Sequence, residues 1–132
     1  MLLTKASEYA LLSLVLIARQ NSPEDVDTLS KRLNISRSFL AKILQSLARE
    51  GILKSYKGAK GGFSLNKDPR EIYIRKVIEV AEKKPLTVFE CATTTLSCPS
   101  GKGDFCMIWP FLNKFQRKMD EFFEELTLKD IL

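Results

Sequence analysis

Residues 36–65, SRSFLAKILQSLAREGILKSYKGAKGGFSL, carry a helix, its stop and a hairpin in one run. Ser36 is a side chain that caps helices, and Leu40, Ile43, Leu44 and Leu47 then recur at helical spacing on one face. Gly51 supplies the usual glycine just past a helix end. ILKSY and GFSL read as two strands around a glycine-rich turn, in which Gly58, Gly61 and Gly62 are expected to take positive backbone angles. The helix turns Ser36, Arg37, Ser38, Ala41, Lys42 and Gln45 outward and meets no acidic residue before Glu50, while Lys54, Lys57 and Lys60 line the hairpin.

Upstream, Thr4 to Gln20 reads as a helix that is apolar nearly all round, and so central. NSPED interrupts it. Asp25 or Asp27 can cap a short helix bearing Leu29 and Leu33, and Asn34 suits the left-handed residue of the turn before Ser36. Two short helices around a tight turn form a helix-turn-helix, which sets the first residues of its second helix against base edges in the major groove. Short or hydrogen-bonding side chains are needed there, with positive charge beside them for phosphate. A basic hairpin directly afterwards makes the module a winged helix. The fold expected is therefore mainly α with a small β wing. The plain alternative is an amphipathic surface helix with solvated charge. A nucleotide-binding P-loop does not fit the glycines, because no G-x-x-x-x-G-K-[ST] pattern is present.

The charge balance agrees. The net charge is +5, yet residues 1–70 hold 12 Lys/Arg against 6 Asp/Glu, and residues 71–132 hold 9 against 10. The basic surplus lies in the first half, as a polyanionic partner requires. Leu11 to Ala18 is too short to span a bilayer, and no small-residue cleavage pattern follows it, so a membrane partner is not expected and a cytoplasmic location is.

Downstream, PREIYIRKVIEVAEKK reads as a helix opened by Pro69, with Ile74, Val77, Ile78 and Ala81 as its buried stripe. Ile108, Leu112, Phe115, Met119, Phe122 and Leu126 then recur in alternating steps of four and three, the seam of a coiled coil. That predicts a long C-terminal dimerisation helix and a two-fold homodimer, which would present two reading heads to a palindromic operator in double-stranded DNA. The expected parts are a winged helix-turn-helix domain over 1–84, a cysteine loop over 85–107, and a dimerisation helix and tail over 108–132.

All three cysteines, Cys91, Cys98 and Cys106, fall within that loop, and the chain contains no histidine. Gaps of six and seven residues leave no C-x-x-C pair, which disfavours thioredoxin chemistry and zinc ribbons. A closed zinc site wants four Cys or His ligands and the chain offers three. Iron–sulfur irons accept thiolates and can take a fourth ligand of another kind. A thiol–disulfide switch and incidental cysteines remain open on spacing alone.

LTKASEYALLSL, the stretch from Ile35 to Leu65 and three cysteines ahead of a long terminal helix together resemble the Rrf-type winged-helix regulators over nearly the whole chain. That family includes iron–sulfur assembly regulators, nitric-oxide sensors and cysteine regulators. The resemblance implies a homodimeric transcription factor whose three-cysteine members carry an iron–sulfur cluster, [2Fe–2S] or [4Fe–4S], that tunes operator binding; members without the cysteines exist. It also implies a fourth ligand. The assembly regulators place a histidine just after the third cysteine, where this chain has Met107, Ile108 and Trp109. The nitric-oxide sensors use a carboxylate of the first helix, supplied by the partner subunit, and Glu8 stands at that position. Glu90 and Asp104 are the competing carboxylates. Cysteine spacing here is wider than in familiar members. Lys57 replaces a common arginine, and Ala41 replaces a glutamate that could read cytosine, so the operator sequence does not carry over.

The function expected is a DNA-binding regulator sensing redox state, nitric oxide or iron–sulfur status, with Ser36, Arg37, Ser38, Lys42, Gln45, Lys57 and Lys60 on DNA and Cys91, Cys98, Cys106 and Glu8 on the cluster. A cluster-free thiol switch is the first alternative. An electron-transfer or cluster-carrier protein is a second, which a basic helix and wing do not serve. With no histidine and no nucleotide loop, no catalytic constellation is legible.

Overall fold

The structure, a computed structural model, describes residues 3–89 and 106–132. Its first helix, α1 (Lys5–Ala18), starts at Thr4, whose hydroxyl accepts the Ala6 amide at 3.2 Å. Ser7, Ala10, Leu14 and Ile17 form its buried stripe, and Ser13 is buried beside them. α2 (Val26–Leu33) is capped by Asp25, which accepts the Thr28 amide at 2.7 Å. That amide, and then the Thr28 hydroxyl, hold the Asp25 carboxyl below its ordinary range. Asn34 takes the left-handed turn with φ 55°. α3 (Arg37–Arg49) buries Leu40, Ile43, Leu44 and Leu47.

Ser36 does sit at the start of α3, but its side chain makes no capping bond; its hydroxyl meets that of Ser38 at 3.1 Å. Helix α3 is held by its apolar face rather than by its first residue.

β1 (Leu53–Tyr56) and β2 (Gly62–Leu65) pair antiparallel, with Leu53 opposite Leu65 and Tyr56 opposite Gly62. Gly58 and Gly62 have the positive φ expected of the turn, at 97° and 142°. Gly61 does not, and its need for glycine is spatial: a Cβ there would lie 2.5 Å from the Tyr56 carbonyl oxygen. Gly62 faces a second close approach, with the Glu24 carbonyl 2.5 Å from where a Cβ would stand. The approach arises because Glu24 and Phe63 exchange both backbone bonds, at 2.9 and 2.8 Å. The linker before α2 is thereby tied to the wing by a one-residue antiparallel bridge. Single residues pair this way without any strand pattern in the sequence.

The helix expected from Pro69 is broken. Pro69–Glu71 form one 3-10 turn, Ile72 is extended, and α4 (Ile74–Glu82) begins afterwards. Ile74, Val77 and Ile78 are buried as expected, whereas Ala81 is only partly covered. The break has a cause in the far end of the chain. Ile74 donates to Leu126 O at 3.0 Å and Leu128 donates to Ile72 O at 2.8 Å. Ile72 and Tyr73 take the extended backbone needed to pair Tyr73 with Thr127, and Leu128 is fully buried in the main core.

α5 (Trp109–Phe123) carries Pro110 in its first turn, where the missing amide costs nothing. Its apolar seam divides. Leu112 and Met119 are buried with Gln116 on the chain's own body, while Phe115 and Phe122 are 46% and 67% exposed. Leu126 lies beyond the helix and packs on the core. The core is therefore shared: α1 packs chiefly on α4 and also on α3 and β2, with the C-terminal 3-10 turn at Leu128–Ile131 closing the end of α1. Among the described residues no helix is long and apolar enough to cross a membrane.

Candidate nucleic-acid interface and cysteine-loop anchor

Burying four apolar positions of α3 turns the opposite face to solvent. Ser36, Arg37, Ser38, Lys42 and Gln45 are all exposed there, and α3 contains no acidic residue. Lys57 and Lys60 are exposed in the turn between β1 and β2, and β1 packs on α3. The wing thus sits against the helix it follows. Arg37 is not wholly free, since its guanidinium is ion-paired with Asp27 of α2. Lys54 lies over the Tyr56 ring, 5.4 Å from its centroid, so it is shared between solvent and an aromatic face.

Phe39 also stands on α3, 41% exposed, with its ring edge-on to Tyr9 of α1 at 5.7 Å between centroids. Sequence reasoning passed over it. The available signal was a large apolar residue outside the inward stripe, in the first turn of the reading helix.

Cys106 lies three residues before α5 begins and is a half-buried free thiol. Cys91, Cys98, Glu90 and Asp104 lie outside the described residues. The stem leading to them is held by a polar cluster. Gln116, buried on α5, accepts the Val88 amide at 2.8 Å and donates to Leu86 O at 3.2 Å and to Asp120 at 2.8 Å. Arg75 of α4 donates to Asp120 at 2.6 Å and to Leu86 O at 3.3 Å. Glu79 accepts the Leu86 amide at 3.0 Å. Every polar atom of the stem at residue 86 is thereby bonded to α4 or α5. No motif announced this cluster; the one clue was a glutamine at the step between Leu112 and Met119 on an otherwise apolar face.

Glu8 is on α1 with its side chain 50% exposed, and it pairs with Lys5 at 2.9 Å. That hydrogen bond, and then the charge of Glu8, raise the Lys5 pKa above its ordinary value. Glu8 is thus open to a ligand arriving from outside the subunit, in competition only with an exposed lysine of its own helix. Among the described residues no group of three or more Cys, Asp or Glu converges on a point.

A helix-turn-helix followed by a basic wing defines a winged-helix, DNA-binding transcriptional regulator. Residues 3–132 match the Rrf2 family, described as iron-dependent transcriptional regulators, and the chain belongs to that family. It is 27% identical to the HTH-type transcriptional regulator NsrR of Bacillus licheniformis, across 100% of this chain and 92% of the relative. It is 26% identical to the HTH-type transcriptional regulator IscR of Pectobacterium atrosepticum, across 100% of this chain and 79% of the relative. The solved structure of CymR, the global cysteine regulator of B. subtilis, superposes with a TM-score of 0.71 at 23% identity, covering 97% of this chain and 93% of that one.

Proposed function

We propose that this transcriptional regulator binds a palindromic operator as a homodimer, and that an iron–sulfur cluster held by Cys91, Cys98, Cys106 and Glu8 sets its DNA affinity. The observation that carries the reading is the match of nearly the whole chain to iron-dependent regulators, in a sequence whose three thiols all lie between α4 and α5. The donor set fits the group: thiolates are the standard ligands of such clusters, and a carboxylate can complete the set as a harder, more readily displaced ligand. When bound, the cluster supplies a centre that changes with redox state, nitric oxide or iron supply.

The chain's own residues do the rest. Ser36, Ser38 and Gln45 address base edges, while Arg37, Lys42, Lys57 and Lys60 meet phosphate. Phe111, Phe115 and Phe122 on the open side of α5 offer the apolar surface for a second subunit. Glu8, coming from the partner subunit, ties one subunit's loop to the other's reading head. Losing that tie alters the spacing of the two recognition helices, a difference in contacts that shifts the population between binding and non-binding arrangements.

The test is anaerobic purification with iron and sulfide assays, followed by gel shift on the chain's own promoter with and without the cluster. Glu8→Ala should keep the fold and much of the iron, change the visible spectrum and make DNA affinity independent of cluster state. A variant equal to the native chain in visible spectrum and in the cluster dependence of its DNA affinity removes Glu8 from the set. A cluster-free thiol switch is the second reading, favoured by the likeness to a cysteine regulator and by the free, half-buried thiol of Cys106. Absence of iron and sulfide, with DNA affinity that follows thiol oxidation, selects it.

A further inference from the structure

A cleft of about 560 Å³ opens between the C-terminal half of α3 and the outer side of α4. Its size is that of a small-molecule site, roughly 300–1,000 Å³. Arg49 comes to it from α3, and Lys76, Lys83 and Lys84 from α4 and its end, against Glu50 and Glu79. Both carboxylates are engaged. Glu50 accepts Lys76 at 3.5 Å, and Glu79 holds the Leu86 amide with Arg75 nearby. Among the described residues Arg49, Lys83 and Lys84 form no ion pair, and the lining carries four cations against two carboxylates, a surplus of positive charge in one concavity.

Lys83 holds a left-handed φ of 60° at the end of α4, where its amide bonds back to Glu79 O and closes the helix. Lys83 also lines a small hollow shared with Lys42 and Phe39 on the exposed side of α3. The cleft therefore runs from the reading helix to Pro85, next to the stem that Glu79 pins.

We propose that this α3–α4 cleft binds a phosphate group, with Arg49, Lys83 and Lys84 as its cationic partners. Low-dielectric walls focus the field of charges on a concave surface. A guanidinium matches phosphate oxygens in a two-pronged fork, and lysines add mobile point charges. The phosphate comes either from a soluble phosphorylated effector or from the DNA backbone beyond the recognition helix. An occupant would bear at once on α3 and on the stem of the cysteine loop.

Calorimetric titration of the DNA-free chain with inorganic pyrophosphate, at ionic strength held constant with chloride, is the first arm. It needs neither DNA nor iron, so its failure is separate from failure of the regulatory reading above. Saturable binding weakened at least tenfold in the Arg49→Ala/Lys84→Ala double variant identifies a soluble phosphate as ligand. The second arm is the salt dependence of binding to a mixed-sequence duplex. A slope flattened by about one unit per lost contact in the same variant identifies backbone phosphate. Circular dichroism checks that the double variant keeps its helices, as two exposed substitutions should. Pyrophosphate binding that is absent, or equal in native and variant chains, together with an unchanged salt slope overturns the proposal.

Discussion

Asp25 and Gln116 show how far a single side chain reaches in this protein. Asp25 caps α2 through the Thr28 amide, and this depresses its carboxyl from the ordinary 3.8. A group with a lowered folded pKa contributes stability that is present above its unfolded value and is lost as pH falls through the folded one. Asp25→Ala should therefore cost about 1 kcal/mol at neutral pH and less below about pH 3.8, measured by urea unfolding across pH. Asp25→Asn should keep the neutral-pH stability while removing that part of the acid dependence, because the amide oxygen still accepts the bond. Gln116 is the opposite kind of residue, buried and central. Gln116→Met fills its space but leaves the Val88 amide and one bond of Leu86 O unmade. The expected loss is about 1–3 kcal/mol, with faster hydrogen exchange at Val88. An unchanged exchange rate there would mean that the stem is held without the glutamine. Asp25 was legible as one of two candidate caps, beside Asp27, from its place before a short helix. Gln116 was not, because two of its three partners are backbone groups 28 and 30 positions away.

Among the elements, the wing and α5 behave differently from their sequence patterns. The wing is a hairpin in sequence but is anchored by Glu24 to the linker before α2. Gly62→Ala should disturb that anchor, since a methyl would meet the Glu24 backbone. If Lys60 reaches phosphate as proposed, Lys60→Ala should weaken binding to all DNA sequences alike and lower the salt slope by about one unit. An unchanged slope would take the wing tip off the DNA. In α5 the alternating steps of four and three were legible, yet they do not form one surface. Leu112 and Met119 turn to the chain's own core, and Phe111, Phe115 and Phe122 remain outside. Phe115→Asp with Phe122→Asp places two charges on that open face. If it is the subunit interface, the pair should give a folded monomer by sedimentation at concentrations where the native chain is dimeric. A folded dimer would put the interface elsewhere.

Across the whole molecule, the segments at Thr4 and at residues 126–128 both attach to α4, at opposite ends of the helix. Thr4 bonds to Glu82 at one end of that helix, and residues 126–128 pair with 72–74 at the other. α4 also packs on α3, so the reading helix, the cysteine-loop stem and the C-terminal segment share one support. The sequence by itself determined the helix-turn-helix, the hairpin after it, the left-handed Asn34 and the clustering of the cysteines, and it narrowed the cap of α2 to Asp25 or Asp27. Each of these depends on residues within a few positions of one another, and local spacing or backbone preference is enough to specify them. Only the tertiary structure decided the break after Pro69, the bridge at Glu24, the division of the α5 seam and the convergence of Arg49 with Lys83 and Lys84. Those features join residues distant in the chain, and a sequence pattern records which side chains are apolar or charged without recording what they will face. A helix continuing through Ile72 and Tyr73 is locally acceptable, but extended backbone wins at those two residues because Leu126 and Leu128 supply partners for Ile74 and Ile72 while Leu128 enters the core.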